Sequence, residues 1–430
     1  MNSQATVIHP TLSKYAAFIG LDWSHGKHAC ALRCAGDANT EEFFLSSKLF
    51  KLRKWLAELK TRFEGADVAI CVENHRGLLM RELERCKWVD IYAVNPATAA
   101  GYRRMFTPSG DKSDERDAVA LLDLLMSHPH KLHVLCPRAK HARMLEELCR
   151  ARRNAVDRRT GRIEALVELL RARHPLAMEM VGDALSKPIA LAFLRRWPST
   201  GELVKVRDKT LRSFFHKHGS RSEKRMRERL ELLQEARSIE VSEETDVLLE
   251  LRLTELLDSI ETANKAVRAY DKAIGEAIRK DERAGLFESL PGAGEALAPR
   301  LLAAFRLVDP ESAEQMQIQT GIAPIRLQTG SSLRTYMRRY CGKFLRQTLH
   351  EYAGCSIQFS SWAKAFYRYS TQVRKLKPQA AKRALAFKWI RILTACWESG
   401  EPYDERRYIE TLCNKGVPYL NDLHDMEKSA

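Results

Sequence analysis

Residues 16–33 read AAFIGLDWSHGKHACALR, and this stretch decides the fold of the N-terminal region. An apolar run, a polar turn and a second apolar run in this order predict a β-hairpin. Residues 46–63 have apolar side chains at every third or fourth position, which predicts an amphipathic helix. Two more apolar runs, DVAICVE at 67–73 and DIYAVN at 90–95, flank a helical stretch and predict parallel strands. We therefore expect a three-layer α/β domain that ends near Met126.

The rest of the chain has a helical period. Two arginine-rich or mixed-charge segments, 143–173 and 231–279, are interpreted as the arms of an antiparallel coiled-coil stalk. Residues 188–230 lie between them as an insertion, which is basic around KVRDKTLRSFFHKHGSRSEKRMR at 205–227. From Leu290 the sequence LPGAGEALAPRLLAAF is similar to a helix-hairpin-helix turn, whose backbone N–H groups can face a phosphate. The predicted division is an α/β domain, a helical stalk, a helical C-terminal domain and a polar tail, at 1–136, 137–284, 285–410 and 411–430.

The charge of the chain favours a polyanionic partner. Its 71 Lys and Arg residues against 55 Asp and Glu residues leave a net charge of +16. Such an excess suits phosphate contacts and counterion release, so nucleic acid leads and an anionic membrane surface is the rival. No apolar run approaches the roughly 20 residues of a membrane-spanning helix. Residues 1–14 lack the apolar core of a signal peptide, so we expect a soluble, cytosolic protein that does not bind a membrane.

The ten cysteines show no CxxC pair, so paired zinc knuckles are not supported. Cys30 and Cys34 fall in a predicted strand and Cys71 beside another, which favours reduced and mostly packed thiols. Cys341 lies in a polar, arginine-rich turn, and a functional role stays open for it.

Four acids stand where α/β domains present functional groups. Asp22 and Glu73 close two predicted strands, whereas Asp114 and Asp117 share one face of the predicted helix SDERDAVALLDLL. Ser113 suits the N-cap of that helix. Taken singly, each acid fits a turn or a helix dipole. Together they form a cluster that needs cations to neutralise it, and ligands made only of oxygen select Mg²⁺ or Mn²⁺.

Three spare acids lie near this helix: Asp111, Glu115 and Asp123. The first would replace Asp114 if the helix began earlier. A carboxylate cluster with divalent metal indicates phosphodiester chemistry, in which cations stabilise charge on the attacking and leaving oxygens. A ribonuclease-H-like core would carry it.

Two blocks of the chain resemble a known family. The first contains GLDWSHGKHACAL, VENHRG, YAVNPATAAGYR and SDERDAVALLDLL, and the second contains LPGAGEALAPRLL, GIAPIRLQTG, CGKFLRQTLHEYA and ALAFKWIRIL. In this order they resemble the DEDD-type insertion-sequence transposases, which are also called bridge-RNA-guided recombinases and include the pilin-gene inverting recombinase. The resemblance implies an RNase H-like (RuvC-like) N-terminal domain and a C-terminal transposase domain.

The resemblance also implies roles for residues. Asp22, Glu73, Asp114 and Asp117 match the metal-binding tetrad. In the family, a serine in an SG pair after the GxAP turn attacks DNA and forms a covalent link, whereas this chain has Thr329-Gly330. A threonine hydroxyl is a nucleophile, but its methyl group restricts χ1. Three alternatives follow: Thr329 attacks, Ser331 or Ser332 attacks, or this copy is impaired.

Basic residues follow this loop and alternate with Tyr336, Tyr340 and Phe344. This pattern suits phosphate contacts and base stacking, and equally suits an amphipathic helix with a solvated face. The arginine-rich stalk is open to the same two interpretations. The candidate nucleic-acid-binding residues are Arg334, Arg338, Arg339, Lys343, Arg346, Arg152 and Arg153.

The leading hypothesis is a DNA transposase or recombinase that uses metal-bound carboxylates and a hydroxyl nucleophile. The resemblance implies double-stranded DNA, a structured guide RNA and further copies of the chain as partners. One alternative is a Holliday-junction resolvase-like or other structure-selective nuclease, in which water attacks. The other is a nucleic-acid-binding relative with an impaired catalytic centre.

Overall fold

A computed structural model of the chain describes residues 10–73, 77–106, 113–132, 134–135, 140–182, 184–238, 247–338 and 341–420. It divides into two compact units. The first unit comprises Met1–Lys140 with Pro324–Gly342, and the second comprises His141–Ala323 with Lys343–Ala430. The four-part division stated above stays a prediction.

The first unit is a mixed α/β fold around a five-stranded sheet. The strand order is β3-β2-β1-β4-β5, with β1–β2 and β2–β3 antiparallel and β1–β4 and β4–β5 parallel. This arrangement is consistent with the expected RNase H-like domain. The elements are β1 (Ala17–Asp22), β2 (Lys27–Cys34), β3 (Glu41–Ser46), α1 (Leu49–Arg62), β4 (Val68–Glu73), α2 (Leu78–Leu83), β5 (Val89–Val94), α3 (Pro96–Phe106) and α4 (Asp114–Ser127).

Apolar side chains cover both faces of the sheet. Alternate residues of β1 and β4, such as Ile19 and Ile70, pack with α1 and α2 on one face. The intervening residues, such as Phe18 and Cys71, pack with α4 on the other face. Because successive strand residues point to opposite faces, near-continuous apolar runs fill both layers. This result confirms the expectation of a three-layer α/β domain.

Two elements of the sheet layer were not predicted. β3 is an edge strand in which only Leu45 is buried, so its sequence EEFFLS lacks a clear apolar period. α3 begins at Pro96, a residue that suits the first helical turn because its missing N–H has no helical partner there. The Asn95-Pro96 pair therefore opens a helix.

The segment of the first unit beyond residue 323 is a two-stranded hairpin, β6 (Ile325–Thr329) and β7 (Ser332–Tyr336). Its only half-buried residue is Ile325, and the other nine strand residues are exposed. The hairpin is therefore held together by the backbone hydrogen bonds between its two strands, without an apolar core of its own.

The second unit is helical wherever it is described. Its helices are α5 (Lys140–Arg173), α6 (Pro175–Val181), α7 (Pro188–Arg196), α8 (Thr200–Val204), α9 (Asp208–Lys217), α10 (Glu223–Arg237), α11 (Val247–Ile278), α12 (Ala284–Glu288), α13 (Gly294–Val308), α14 (Ala313–Gln319), α15 (Lys343–Phe359), α16 (Ser361–Arg368), α17 (Pro378–Ser399) and α18 (Glu405–Asn414).

The long helices α5 and α11 pair in opposite directions. Arg152 contacts Asp271, and the Arg159 guanidinium donates to Asn264 at 3.1 Å, so contacts descend α11 as they ascend α5. The second arm is shorter than the predicted 231–279. Residues up to Arg237 belong to α10, because Leu233 is buried in a separate helical core.

This separate core defines a helical head between the two long helices, residues 175–237. Phe193, Trp197, Phe214 and Phe215 form its aromatic centre, and Leu166 of α5 and Leu256 of α11 close it. The predicted insertion is therefore a packed module.

A second helical core contains α13, α15 and α17, with Trp362 and Trp389 fully buried. The turn before α13 has a packing reason for its glycine, and its role in facing a phosphate stays a prediction. A Cβ on Gly292 would lie 2.7 Å from the Phe359 ring and 3.3 Å from the Cys355 backbone, so only glycine allows this approach. The nine cysteines of the described chain are free thiols, and burial raises the pKa of Cys30 to about 12.

Candidate active site

The carboxyl ends of β1 and β4 carry the first two acids. The strands are parallel neighbours whose register pairs Leu21 with Val72, and Asp22 and Glu73 are the next residues along them. Glu73 shares a strand face with Cys71, which packs beneath α4. The two acids therefore sit at adjacent strand ends on the face that α4 covers.

Helix α4 lies very close to β1. A Cβ on Gly20 would stand 2.0 Å from the Ala118 carbonyl oxygen and 2.4 Å from the Leu122 nitrogen, so glycine is required there. Ser113 caps the helix, as predicted, by accepting a hydrogen bond from the Arg116 N–H at 3.3 Å. This contact fixes the first turn of α4, where Asp114 stands.

Glu73 and Asp117 line one small pocket beside α3 and α4. Asp117 is 8% exposed, and its carboxylate accepts from the Arg103 guanidinium, with 2.6 Å between Arg103 Nη1 and Asp117 Oδ1. A carboxylate this buried requires a cationic partner, and Arg103 supplies it. The other lining residues are Ala99, Tyr102, Ala120, Leu121 and Leu124.

The donor set of this pocket fits a hard divalent cation, because its acids offer only oxygen ligands. Among the residues that the structure describes, no three Asp, Glu, His or Cys side chains are grouped closely enough to hold one ion. Arg103 contacts both oxygens of Asp117, so this carboxylate would exchange the guanidinium for a metal. The metal-binding tetrad stays a prediction, and Glu73 and Asp117 are the pair that one pocket brings together.

The remaining acids of this region have different surroundings. Asp114 is half-buried one turn before Ala118 on α4. Glu115 is exposed, and Asp123 accepts a hydrogen bond from the Tyr102 hydroxyl at 2.5 Å. Asp111 lies outside the described residues. Asp123 therefore has a structural partner and is a suitable control for the tetrad.

The predicted nucleophile loop is the tip of the β6–β7 hairpin. Thr329 pairs with Ser332 across the ladder, and Gly330-Ser331 form a two-residue turn. Gly330 has a φ of 58°, which suits the first position of a type II′ turn. Thr329, Ser331 and Ser332 are all exposed, so each hydroxyl is accessible to a substrate.

The candidate basic residues differ in exposure. Arg334 and Lys343 are exposed, Arg338 and Arg346 are half-buried, and Arg339 lies outside the described residues. The suggestion that Phe344 stacks on a base is wrong. Its ring is buried against the guanidinium groups of Arg150 and Arg300, at 4.6 and 5.8 Å from the ring centroid.

Arg152 and Arg153 already contact carboxylates within the second unit. Arg152 pairs with Asp271, and Arg153 pairs with Asp157 and Glu351, each at 2.9 Å. A phosphate would therefore compete with these acids, and binding of nucleic acid by the two arginines stays a prediction.

Two family models match the chain in the order of the two sequence blocks. A DEDD-type IS110 model described as "Transposase" matches residues 19–175, and the model "Transposase IS116/IS110/IS902 family" matches residues 284–368. The chain belongs to the DEDD-type IS110 family of transposases. The first match covers the acidic pocket, and the second covers the hairpin and the helices from α12 to α16.

Two relatives agree with this family. The "Mini-circle putative transposase for IS117" of Streptomyces coelicolor is 25% identical over 403 residues, which cover 91% of this chain and 96% of the relative. The "Putative transposase y4uE" of Sinorhizobium fredii is 23% identical over 205 residues, which cover 47% of this chain and 56% of the relative.

As an IS110-family transposase, the chain is a DNA-cutting enzyme whose substrate is DNA. Members of this DEDD family generally use divalent metal ions. In the described part of the chain, no helix combines the length and the apolarity needed to cross a bilayer.

Three residues of the site were missed at the level of sequence. Arg103 and Tyr102 end the quoted segment YAVNPATAAGYR, whose period would have indicated a helix carrying both toward α4. Gly20 is part of the first strand, where an isolated glycine indicates close approach of another backbone. The pairings with Asp117, Asp123 and Ala118 are tertiary contacts that local sequence does not specify.

Proposed function

We propose that this transposase cuts and rejoins DNA with a carboxylate-bound divalent metal and a hydroxyl at the hairpin tip, under the guidance of a structured RNA. The observation that most directly supports this proposal is that Glu73 and Asp117 line one pocket at the end of the parallel strands, with Asp22 at the neighbouring strand end. RNA guidance and assembly of several copies rest on the family resemblance, and the net charge of +16 supports a polyanionic partner.

The residues proposed to hold the metal are Asp22, Glu73, Asp114 and Asp117. Bound Mg²⁺ or Mn²⁺ would stabilise the charge that develops on phosphate oxygens during the reaction. The chain itself positions these acids through packing, since Gly20 lets α4 approach β1 closely. Arg103 holds the Asp117 carboxylate in place until a cation replaces the guanidinium.

The hydroxyl of Thr329 is proposed to attack a phosphorus atom of the DNA backbone. An Oγ–P bond forms, the P–O bond to one strand end breaks, the hydroxyl proton passes to solvent, and the leaving oxygen takes a proton. The protein–DNA phosphodiester replaces one DNA phosphodiester, so a DNA hydroxyl reverses the step during rejoining without an external energy source. Exposure of Thr329 supports this role, and Ser331 is the alternative nucleophile.

Strand cleavage tests the metal-dependent part of the proposal. Full-length protein is incubated with duplex DNA carrying the ends of its own element, the RNA transcribed from the flanking non-coding segment, and Mg²⁺ or Mn²⁺. Asp117→Asn and Glu73→Gln should each lower the cleavage rate at least about a thousandfold, since metal stabilisation is worth several kcal/mol. Chelation of the metal should have the same effect.

Asp123→Asn is the matched control, because this acid lies on the same helix and its partner Tyr102 can still donate to the asparagine oxygen. It should retain more than about a tenth of the activity. Full metal-dependent cleavage by both Asp117→Asn and Glu73→Gln would overturn the assignment. Cleavage that needs the RNA supports guidance, and equal cleavage without it contradicts guidance.

A further inference from the structure

The basic stretch within the helical head is unexplained by the proposed chemistry. Between residues 205 and 229 there are ten Lys or Arg residues and three Asp or Glu residues. The stretch folds as α9, a connecting turn and α10, on a core that includes Phe214, Phe215 and Met226. The charge is therefore displayed on a packed surface.

Two of the three acids already form ion pairs with arginines of the head. Asp208 accepts from Arg237 at 3.0 Å, and Glu223 accepts from Arg212 at 2.7 Å. These contacts tie α9 to α10, and Glu228 is the one other acid of the stretch to offset its remaining cations.

One further cation is structural. Arg229 lies over the Phe215 ring at 3.7 Å from its centroid and donates to the Met180 carbonyl and the Ser220 hydroxyl, at 2.9 and 3.1 Å. Burial lowers the pKa of Arg229, and the charge of Arg225 lowers it further. Arg229 is therefore held within the head by its own contacts.

Four other cations surround the turn and are named here the basic turn: Lys217, Arg221, Lys224 and Arg225. All four are exposed, and none forms an ion pair with a carboxylate in the part of the chain that the structure describes. Arg221 immediately precedes the cap residue Ser222, and Lys224 and Arg225 lie in the first turn of α10. Their like charges repel, which an anionic partner would relieve.

The backbone of the basic turn is held in place by local hydrogen bonds. Gly219 has a φ of 83°, a conformation that favours glycine, and the Ser220 N–H donates to the Phe215 carbonyl at 2.9 Å. Ser222 caps α10 by accepting from the Arg225 N–H. A partner therefore binds a preformed backbone, which lowers the entropy lost on association.

The surface around the basic turn distinguishes between classes of partner. Among the described residues of the head, no large apolar side chain is exposed. Protein interfaces generally bury apolar or aromatic side chains at their centre, and membrane-surface helices insert them. Contacts to a phosphate backbone need cations alone.

We propose that the basic turn anchors a nucleic acid by its phosphate backbone. The site lies on a chain segment separate from the acids and the hairpin, so the inference goes beyond the proposed function. Duplex DNA and structured RNA present the same phosphate chemistry, and the test has one arm for each.

The test measures binding of full-length protein to two fluorescent probes by anisotropy, at salt concentrations from about 50 to 300 mM. One probe is duplex DNA from the element end, and the other is the RNA from the flanking non-coding segment. The variant Lys217→Gln/Arg221→Gln/Lys224→Gln/Arg225→Gln should bind at least one probe about tenfold or more weakly near 150 mM salt. The slope of log affinity against log salt should flatten by roughly two to four, as expected for the loss of up to four phosphate contacts.

A matched control removes four exposed lysines from the first unit, at Lys51, Lys54, Lys60 and Lys87. It loses the same net charge and should leave the slope nearly unchanged. Weaker binding of only the RNA or only the DNA identifies the anchored partner, and weaker binding of both identifies a shared anchor. Equal affinities and equal slopes for the two quadruple variants would overturn the proposal.

A charge-preserving variant protects the test against misfolding. Arg221→Lys/Arg225→Lys should bind within about threefold of the unaltered protein, because a lysine also contacts phosphate as a point charge. Thermal melting of every variant checks the fold. Binding requires no cleavage, so Asp117→Asn should retain the full salt slope, which separates failure of this inference from failure of the proposed chemistry.

Discussion

In the acidic pocket, Glu73 and Asp117 stand on a strand and a helix that are packed on an apolar core, and Arg103 holds one of them in place. At the hairpin tip, Thr329 and Ser331 stand on two exposed strands that have no core. The two places carry the two halves of the proposed reaction. A metal-binding group requires fixed geometry, whereas a nucleophile that must reach DNA gains from accessibility.

This contrast predicts how each place responds to substitution. Changes in the pocket should alter folding and chemistry together, because the same packing supports both. Changes at the hairpin tip should alter chemistry alone.

The largest expected effect is at the nucleophile. Thr329→Ala should lower formation of a denaturation-resistant protein–DNA adduct at least about a thousandfold, since no attacking oxygen remains at that position. Thr329→Ser should retain or increase adduct formation, because loss of the methyl group frees χ1. The adduct is measured on a denaturing gel and mapped by mass spectrometry.

Ser331→Ala is the neighbouring control and should retain adduct formation within about tenfold. Loss of the adduct in Ser331→Ala but not in Thr329→Ala would move the nucleophile to the turn. Metal-dependent cleavage with no adduct in any variant would favour the resolvase-like alternative, in which water attacks.

Two glycines give the next largest effect. Gly20→Ala should lower the free energy of unfolding by about 3 kcal/mol, because the new Cβ would overlap the α4 backbone. Gly330→Ala should cost about 1 kcal/mol locally, because its positive φ disfavours a side chain. We expect Gly20→Ala to lower the melting temperature, and Gly330→Ala to reduce adduct formation at an unchanged melting temperature.

Gly26→Ala is the control for both, since its Cβ would meet open space and its φ is not positive. Melting of Gly20→Ala at the temperature of Gly26→Ala would show that α4 does not depend on the close approach. A lowered melting temperature for Gly330→Ala would show that the hairpin contributes to the global fold.

The pocket and the hairpin also differ in how far sequence predicts them. The strands that carry Asp22 and Glu73 are continuous apolar runs, and Ser113 marks the start of α4. The apolar runs and the capping residue therefore predict these elements from the sequence. The edge strand β3 was missed because a solvated strand needs no apolar period. The Arg103–Asp117 ion pair was missed because its two residues lie on different helices, α3 and α4. Their charges meet only when the two helices are packed together, and local sequence does not specify that packing.

The hairpin was not predicted as a pair of strands. Its strands IRLQT and SLRTY do alternate in polarity around Gly330-Ser331, but both sides are exposed, so burial gave no support. Arg152 and Arg153 show a second limit of prediction from sequence, which concerns the partners of charged residues. A basic run on a helix predicts a charged face, and only the tertiary structure reveals that Asp271 and Glu351 already contact it.

Acidification tests another packed polar site, in the helical head. His174 is fully buried, its Nε2–H donates to the Trp197 carbonyl at 3.1 Å, and its Nδ1 accepts from the Thr200 hydroxyl at 2.7 Å. Burial lowers the pKa of His174 from 6.5 to about 4. The unfolded state therefore binds more protons between these values, so stability is complete above pH 6.5 and falls as the pH drops toward 4.

From pH 7 to pH 5 the loss should be about 2 kcal/mol. Hydrogen exchange of α6 and α8, corrected for intrinsic rates, should show a protection decrease of about twentyfold to thirtyfold. His174→Gln should be less protected at pH 7 and less dependent on pH. Equal protection of the unaltered protein at both pH values would contradict the assignment of a neutral histidine.

The smallest expected effect concerns the cation that occupies the pocket. Arg103 donates to both oxygens of Asp117, so a metal must displace it. In Arg103→Met the carboxylate loses this competitor, and Mn²⁺ or Mg²⁺ should bind about tenfold more tightly, which corresponds to a charged hydrogen bond of about 1.4 kcal/mol. The metal-free variant should also melt at a lower temperature, since a buried carboxylate is left without its partner.

Calorimetric metal titration measures the change, and Arg104→Met is the matched control. Arg104 is the next residue on α3, is exposed, and donates only to the Ala100 carbonyl at 3.2 Å among the described contacts. Equal metal affinity in the two variants would show that the guanidinium is a fixed part of the site. Tighter metal binding in Arg103→Met alone would show that packing places the acids for a metal while Arg103 occupies the metal's position. The exposed hairpin tip has no comparable packing around its hydroxyl groups.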